Sequence, residues 1–218
     1  MAKVFIIGAA GKVGSRLVTL LAAGGHAVLA LHRKPEQADA LAAAGATPVL
    51  VDLAALDADA LAVLIGVADT VVFAAGAGGA GIDVTNAIDG RGLETAVAAA
   101  RQAGVSRFVL VSAFPDALRD GDRNEGFENY SRVKKLADAH LVASGLKYVI
   151  LRPGTLTDDP GIGRVRADLA IPYGTVSRDD VAATLAAIVE RPDLGRIIIE
   201  LTKGDQPIGP TLDRLAGR

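Results

Sequence analysis

The feature that most constrains this fold is a glycine-spaced turn between an apolar run and an amphipathic segment near the start of the chain. The run Lys3–Ile7 has the length and composition of a buried strand, and Gly8, Gly11 and Gly14 follow it at intervals of three residues. Apolar residues after the turn recur at helical spacing, so we predict a strand, a turn and a helix in that order. A dinucleotide-binding βαβ unit requires this order, because it places phosphate groups at the amino terminus of the helix.

Each glycine of the turn has an expected role. Gly8 permits the tight turn, Gly11 lets the backbone approach a pyrophosphate, and Gly14 lets the helix pack closely on the strand. Three glycines alone are weak evidence and also fit a purely structural turn, but the flanking strand and helix favour a nucleotide site. The residues expected to contact a cofactor here are Gly8, Ala10, Gly11, Lys12, Val13 and Gly14.

Strand-like and helix-like segments alternate along most of the chain, and several strands are continuous apolar runs. Such strands are typical of a parallel sheet that is covered by helices on both faces. The predicted strands are Lys3–Ile7, Ala27–Leu31, Thr47–Val51, Thr70–Ala74, Arg107–Val111, Lys147–Leu151 and Arg196–Leu201. The predicted helices are Lys12–Ala23, Glu36–Ala44, Asp57–Ile65, Val84–Ala103, Phe127–Ala143 and Arg178–Val189.

This alternation predicts the α/β class, as a single-domain Rossmann-type doubly wound parallel sheet with helices on both faces. We expect one NAD(P)-binding domain over residues 1–218, with a small substrate-pocket region around residues 113–128 and 153–177. The Gly/Pro-rich stretch Pro153–Gly174 is predicted to be irregular, as a lid, a pocket wall or a plain surface loop.

Composition excludes several classes of function. The formal charge of −2 gives no general attraction to nucleic acid or to an anionic membrane. Cysteine is absent, so disulfides and thiol nucleophiles are excluded, and the three histidines are too scattered to predict a metal site. No signal peptide is visible, so we expect a cytoplasmic protein that acts on a small-molecule substrate as a monomer or homodimer.

The residues after the second predicted strand indicate which dinucleotide is bound. A carboxylate there would accept a hydrogen bond from the ribose 2′-hydroxyl and favour NAD(H). Here Arg33 and Lys34 follow the strand, and no acidic residue lies between the strand and Glu36. A guanidinium can bind phosphate oxygens in a bidentate manner, and Lys34 and Lys12 add positive charge. We therefore predict NADP(H) in preference to NAD(H), with a solvated basic turn as the alternative.

Two further places are expected to contact the cofactor, because the carboxyl ends of parallel strands meet at one edge of the sheet. Asp52 follows the third strand and is either an adenine ligand, with Leu53 packed beside the ring, or an ordinary turn aspartate. The small residues Ala74, Ala75 and Gly76 follow the fourth strand, where they leave room for a cofactor ribose or form a tight turn.

Tyr130 and Lys134 form the candidate reaction centre. They are four residues apart, so on a helix they share a face. The lysine is expected to stabilise the phenolate and lower the tyrosine pKa, so that the phenol exchanges a proton with a carbonyl/alcohol pair during hydride transfer. Lys134 can also hold the nicotinamide ribose, and Ser112, just after the fifth strand, can orient the substrate oxygen. The alternative is an ordinary amphipathic helix with a packed tyrosine and a solvated lysine.

Together these segments resemble an atypical member of the short-chain dehydrogenase/reductase superfamily. More narrowly, the chain is similar to the small NAD(P)-binding proteins grouped with NmrA-like regulators and biliverdin/flavin reductases. The matching segments are Gly8–Gly14, Arg33, Asp52–Leu53, Val71–Gly76, Val109–Ser112, Tyr130–Lys134 and Leu151–Gly154. The resemblance implies a Rossmann fold, a cofactor site along these segments, and a substrate pocket near Ser112 and Tyr130. It also implies that Pro153 and Gly154 lie near the nicotinamide.

The expected activity is that of an NADPH-dependent oxidoreductase, with hydride transfer to a small carbonyl, flavin or quinone acceptor. Two alternatives are a non-catalytic NADP(H)-sensing regulatory protein and an NAD(P)-dependent sugar epimerase or dehydratase-like enzyme. Two departures from the pattern argue against a nucleotide-sugar epimerase. The chain has little room for the large substrate lobe of those enzymes, and Ser112 is not followed by the Val-Tyr-Gly string that many of them carry.

Overall fold

The computed structural model describes residues 1–114, 117 and 124–217. The strands of these residues are β1 (Lys3–Ile7), β2 (Ala27–His32), β3 (Thr47–Leu50), β4 (Thr70–Phe73), β5 (Arg107–Val111), β6 (Lys147–Pro153), β7 (Thr155–Thr157), β8 (Arg164–Asp168), β9 (Thr175–Ser177), β10 (Ile197–Lys203) and β11 (Gln206–Pro207). The helices are α1 (Gly14–Ala23), α2 (Ala38–Ala43), α3 (Ala58–Ile65), α4 (Ile82–Thr85), α5 (Leu93–Gln102), α6 (Glu125–Ala143), α7 (Arg178–Val189) and α8 (Ile208–Ala216). A π-helical segment, Asn86–Gly92, joins α4 to α5, and 3-10 turns cover Pro35–Gln37 and Leu53–Ala55.

The strand order creates a cleft at one edge of the sheet. Among the described residues, nine strands pair in the order β11-β8-β10-β6-β5-β4-β1-β2-β3, and β7 pairs with β9 separately. All neighbours from β10 to β3 are parallel, which confirms the predicted Rossmann-type sheet. The chain order reverses between β1 and β4, so the loops that follow these strands diverge. Ligands of open α/β sheets bind at this point, outside the carboxyl ends of the strands.

Helices cover both faces of the sheet because its strands are apolar on both sides. Adjacent residues of β1 point to opposite faces, and Val4 and Phe5 are both fully buried. Val4 belongs to a core cluster with Leu17 of α1 and with residues of α7 and α8. Phe5 belongs to a second cluster with Leu141 of α6 and with residues of α3 and α5. No helix within the described residues combines the length and the apolar character that a membrane crossing requires.

The predicted helix Val84–Ala103 is interrupted. It is divided into the end of α4, the π-helical segment and α5. Gly90 and Gly92 weaken the preference for a regular α-helix. A Cβ atom on Gly92 would lie 3.0 Å from Leu53 Cδ2, so the widened turn also packs directly against the 3-10 turn after β3.

The region after β6 is more regular than predicted. The stretch Pro153–Gly174 contains β7 and β8, and β8 pairs antiparallel to β10. Val165 and Ala167 of β8 are buried and alternate with exposed residues, which is the pattern of a strand with one covered face. The helix α8, which has no counterpart among the predicted elements, packs against β8 with Leu212 and Leu215 buried.

Arg107, the first residue of β5, joins the sheet to the end of α7. The residue is 5% exposed, and its guanidinium donates hydrogen bonds to the carbonyl oxygens of Ile188, Val189, Arg191 and Leu194. These groups lie at or just beyond the carboxyl end of α7, where helical carbonyls have no partner within the helix. Burial lowers the pKa of Arg107.

Arg107→Met is expected to lower the free energy of unfolding by about 2–4 kcal/mol, because it leaves several buried carbonyl groups unpaired. Urea unfolding of the variant and the wild type measures this difference. Arg166→Met is the matched control, since Arg166 is exposed on β8, and its effect is expected to stay within about 0.5 kcal/mol. Equal stabilities of the two variants would contradict the role assigned to Arg107.

Candidate cofactor and catalytic site

The glycine-spaced turn brings three elements together where the sheet order reverses. Gly8 has a φ of +87°, and a Cβ atom there would lie 2.5 Å from the backbone nitrogen of Ala75, just after β4. A Cβ atom on Gly14 would overlap the carbonyl oxygen of Gly8, so a side chain would push α1 away from β1. The close packing expected of Gly14 is therefore observed. Gly8 also allows the loops after β1 and β4 to touch.

The amino terminus of α1 is not capped by a side chain. Val13 precedes the helix without a capping hydrogen bond, and the first helical turn, all of it described, has no acidic residue. Gly11 and Lys12 are exposed on the turn, and Ala10 is half-buried. A helix end of this kind attracts an anion through its backbone N–H groups and its dipole. The turn therefore suits a diphosphate group.

Two exposed cations lie at the end of β2. His32 is buried, and its Nδ1 lies 3.0 Å from the carbonyl oxygen of Lys34, which holds the turn in place. Arg33 is exposed and forms no ion pair with any described residue. The Nζ atom of Lys34 is 3.9 Å from Glu36, and an exposed pair at that distance contributes little energy. Both cations are thus accessible to an anion at this end of the strand.

Lys12 differs from Arg33 and Lys34 because it forms a closer ion pair. Its Nζ lies 3.1 Å from Asp158, whose other oxygen lies 3.0 Å from Arg178. The hydrogen bond from Lys12 is the largest cause that lowers the pKa of Asp158. Both partners are more than half exposed, so the pair is weak and can exchange with a bound phosphate.

Asp52 and Leu53 have local structural partners. The Asp52 carboxylate accepts a hydrogen bond from the backbone N–H of Ala54 at 3.1 Å and caps the 3-10 turn, as the turn-aspartate alternative predicted. Leu53 is 6% exposed and packs against Gly92 in the core. The Leu53 side chain thus faces inward, and its packing beside an adenine ring stays a prediction. Adenine binding by the second carboxylate oxygen of Asp52 stays a prediction.

The small residues after β4 pack directly over the glycine-spaced turn. The N–H of Ala74 donates to the Ile7 carbonyl at 2.9 Å, and Ala75 contacts Gly8. A Cβ atom on Gly76 would lie 3.1 Å from the carboxylate oxygen Oδ1 of Asp89. The segment is therefore narrow and lies beside the switch point of the sheet, as a ribose-binding segment requires.

Tyr130 and Lys134 share a face of α6, as predicted. The Nζ atom of Lys134 lies 5.9 Å from the centre of the Tyr130 ring. Lys134 is only 5% exposed, so the alternative of a solvated lysine does not hold. Its Nζ donates to the carbonyl oxygen of Val111 at 2.9 Å and to Asp89 Oδ1 at 3.2 Å. Helix α6 thus holds this pair at the carboxyl end of β5.

The pKa of Tyr130 is raised rather than lowered. Burial of the phenol is the largest cause, since it disfavours the charged form. Lys134 lowers the pKa, as expected, but the carboxylates of Asp89 and Asp138 raise it. The effect of Lys134 is the one predicted, but burial and the two carboxylates outweigh it, and Tyr130 keeps its proton at neutral pH.

Ser112 follows β5 as predicted, but its hydroxyl is enclosed. The residue is 4% exposed, and its Oγ has no partner of normal hydrogen-bond geometry among the described residues. Burial raises the pKa of Asp138 on α6, and the Ser112 hydroxyl counteracts this by favouring the charged carboxylate. Asp138 also pairs with Arg152 of β6 at 2.8 Å. Ser112 thus belongs to a buried polar cluster with these two residues, and its contact with a substrate oxygen stays a prediction.

Pro153 and Gly154 are buried at the end of β6. The N–H of Gly154 donates to the Leu201 carbonyl at 2.9 Å. A Cβ atom on Gly154 would overlap the carbonyl oxygen of Gly174, so close packing explains this glycine. Contact of either residue with a nicotinamide stays a prediction.

The predicted pocket region is only partly described. Residues 115, 116 and 118–123 of the 113–128 segment lie outside the described residues. In the described part, the Phe114 and Tyr173 rings meet edge to face at 5.4 Å, and the Tyr173 hydroxyl is hydrogen-bonded to Thr155. Phe127 lies 6.2 Å from Tyr130. These side chains form two aromatic pairs, Phe114–Tyr173 and Phe127–Tyr130.

Sequence reasoning missed two carboxylates that face this centre. Asp89 is 2% exposed and Asp138 is 4% exposed. The spacing of the sequence contained a signal for both carboxylates. Asp89 precedes Leu93 by four residues, and Asp138 follows Lys134 by four. Each carboxylate therefore lies on the same helical face as a buried residue. A carboxylate on such a face is rarely buried without a partner.

The chain matches a family model described as NAD(P)H-binding over residues 8–192. It is 41% identical over 215 residues to a Bacillus subtilis protein named uncharacterized sugar epimerase YhfK, covering 98% of this chain and 100% of that protein. A Bacillus halodurans structure described as an NAD-dependent epimerase/dehydratase superposes with a TM-score of 0.90 at 31% identity, covering 99% and 100% of the two chains. ChuY, an anaerobillin reductase from Escherichia coli O157:H7, superposes with a TM-score of 0.78 at 29% identity, covering 93% and 98%. Sequence and structure agree that the chain belongs to the NAD(P)H-binding family, within the atypical short-chain dehydrogenase/reductase superfamily.

Proposed function

We propose that this chain is an NADPH-dependent reductase that transfers hydride to a carbonyl or a conjugated acceptor. The observation that carries the proposal is the pair of exposed cations, Arg33 and Lys34, at the end of β2. In a Rossmann-type sheet the adenosine ribose lies at this position, and a carboxylate that would favour NAD(H) is missing from the described turn before Glu36. The relatedness to an anaerobillin reductase supports the direction of the reaction. We expect a small-molecule substrate and a cytoplasmic location.

The residues present fit a dinucleotide phosphate. The uncapped amino terminus of α1 would hold the diphosphate, and Arg33 and Lys34 would hold the 2′-phosphate. The segment Ala74–Gly76 would flank a ribose, and Asp52 would face the adenine. When bound, the cofactor supplies a hydride to the acceptor.

Tyr130 is the proposed proton donor. As hydride reaches the acceptor carbon, the phenolic O–H bond breaks and its proton passes to the acceptor oxygen, which leaves an alcohol and a phenolate. The phenol carries its proton before the reaction, as a proton donor must. Lys134 stabilises the phenolate that forms, and solvent returns the proton.

The two aromatic pairs favour an apolar, planar acceptor. The chain has five phenylalanines and three tyrosines. Three of the phenylalanines are fully buried in the sheet core, namely Phe5, Phe73 and Phe108. Four of the remaining aromatic residues form two pairs, Phe114 with Tyr173 and Phe127 with Tyr130. The rings of Phe127, Tyr130 and Tyr173 are not fully buried, and such rings offer a surface on which a conjugated ring can stack.

The names of two relatives favour an epimerase as a second candidate. An epimerase takes a hydride from its substrate and returns it, so its tyrosine must act first as a base. It would therefore turn over a substrate without net consumption of NADPH. A buried tyrosine with a raised pKa is poorly suited to the first of these steps.

The first test is calorimetric titration of the protein with NADPH and NADH after bound nucleotide has been removed. Calorimetry is preferred because the chain has no tryptophan to report binding by fluorescence. We expect clear preference for NADPH, followed by net NADPH oxidation with a flavin, quinone or carbonyl acceptor. Binding without turnover of any acceptor would favour the sensor alternative. Binding of neither cofactor would overturn the proposal.

A further inference from the structure

A carboxylate that the proposed reaction does not use directly lies against its centre. Asp89 belongs to the π-helical segment Asn86–Gly92 and is 2% exposed. Segments of π-helix are rare and occur frequently at functional sites. One oxygen of Asp89 accepts a hydrogen bond from the N–H of Ala77 at 2.9 Å, and the other lies 3.2 Å from Lys134 Nζ.

Asp89 thereby joins two parts of the proposed site. Ala77 directly follows the segment proposed to flank a ribose, and Lys134 is the cation beside Tyr130. The side chains of Lys134 and Asp89 are 6% and 1% exposed, so the ion pair is shielded from water. A buried charge of this kind is strongly felt by its neighbours, because little solvent screens it.

We propose that Asp89 is a positioning residue that fixes Lys134 beside Tyr130 and offsets its charge, so that the Tyr130 phenolate forms at a higher pH than Lys134 alone would set. This inference rests on the proposed reductase function. A lysine without a counter-charge would stabilise the phenolate more strongly, and the Asp89 carboxylate reduces that effect.

Three charged groups of the described residues act on Tyr130. Lys134 comes from the same helix, Asp89 from the π-helical segment, and Asp138 from the next turns of α6. Asp138 is itself paired with Arg152, so its charge is compensated from β6. Removal of the Asp89 carboxylate therefore changes the net charge around Lys134 most directly.

The test is a tyrosinate titration of the full chain after nucleotide has been removed. The chain has three tyrosines and no tryptophan, and Tyr130 is identified by difference from Tyr130→Phe. Asp89→Asn keeps the acceptor for Ala77 but removes the charge. We expect on the order of tenfold more Tyr130 phenolate at a given pH, since Lys134 then acts without its counter-charge. Lys134→Met is expected to shift the titration to higher pH, and the double variant to return it close to wild type.

Asp83→Asn is the matched control, because Asp83 is exposed on α4 near Asp89 in sequence, and it should leave the Tyr130 titration unchanged. Circular dichroism at each pH shows whether a variant stays folded. If Asp89→Asn does not fold, Lys134→Met is compared with the double variant Asp89→Asn/Lys134→Met. These two proteins differ only in the charge of residue 89, and neither contains a lysine that lacks its partner. An unchanged Tyr130 titration on removal of the Asp89 charge overturns the proposal.

The titration involves neither cofactor nor turnover, so it is independent of whether the reductase assignment is correct. Once an acceptor is known, Asp89→Asn should move the alkaline limb of the kcat profile to lower pH with little change in KM for NADPH. A purely structural role would instead lower stability and leave this profile in place.

Discussion

Tyr130→Phe is expected to lower kcat for reduction of a carbonyl by about 100-fold or more, while the Kd for NADPH stays close to that of the wild type. The variant removes one oxygen from the proposed proton donor, and general acid catalysis typically contributes a factor of this size. The ring of Tyr130 is retained, so its contact with Phe127 is kept. Steady-state kinetics with a carbonyl acceptor and calorimetric titration with NADPH measure the two effects.

Tyr148→Phe is the matched control for this prediction. Tyr148 lies near the start of β6, so this substitution removes the same hydroxyl group at a place away from the proposed centre. Its kcat should equal that of the wild type. An unchanged kcat of Tyr130→Phe with a carbonyl acceptor would show that Tyr130 is not the proton donor. Reduction of a flavin is expected to survive the change, because direct hydride transfer to a flavin needs no acid at this position.

The double variant Arg33→Ser/Lys34→Ser is expected to weaken NADPH binding by about 100-fold and to leave NADH binding nearly unchanged. Charge-assisted hydrogen bonds contribute roughly 1.5–3 kcal/mol each, and about 1.4 kcal/mol corresponds to a factor of ten in Kd. Arg33→Ser alone should account for most of the loss, because Arg33 has no competing ion pair among the described residues. Calorimetry with both cofactors measures the change.

Arg101→Ser is the control for the cofactor prediction. Arg101 is exposed in the last turn of α5, and its replacement removes one positive charge far from the end of β2. It should not change the preference between the two cofactors. Raising the salt concentration should narrow that preference in the wild type, since exposed charges are screened. An equal loss of NADPH and NADH affinity in the double variant would show that the two cations do not recognise the 2′-phosphate.

Much of the fold was predictable because its signals are local. The bounds of Lys3–Ile7, Arg107–Val111 and Arg178–Val189 are the same in the prediction and in the structure. The two strands are continuous apolar runs, and the helix begins after Ser177, whose hydroxyl caps it. The strand β8 was missed because its pairing with β10 depends on residues far away in the sequence.

The same distinction applies to the candidate site. By itself, the sequence determined the glycine-spaced turn, the cations after β2 and the shared face of Tyr130 and Lys134, because each depends on neighbouring residues. Only the tertiary structure decided the charge around Tyr130, because Asp89 is 45 residues from Lys134 in the chain and meets it inside the protein. A buried charge acts on whatever lies beside it in space, so the protonation state of the tyrosine depends on the packing of the π-helical segment against α6.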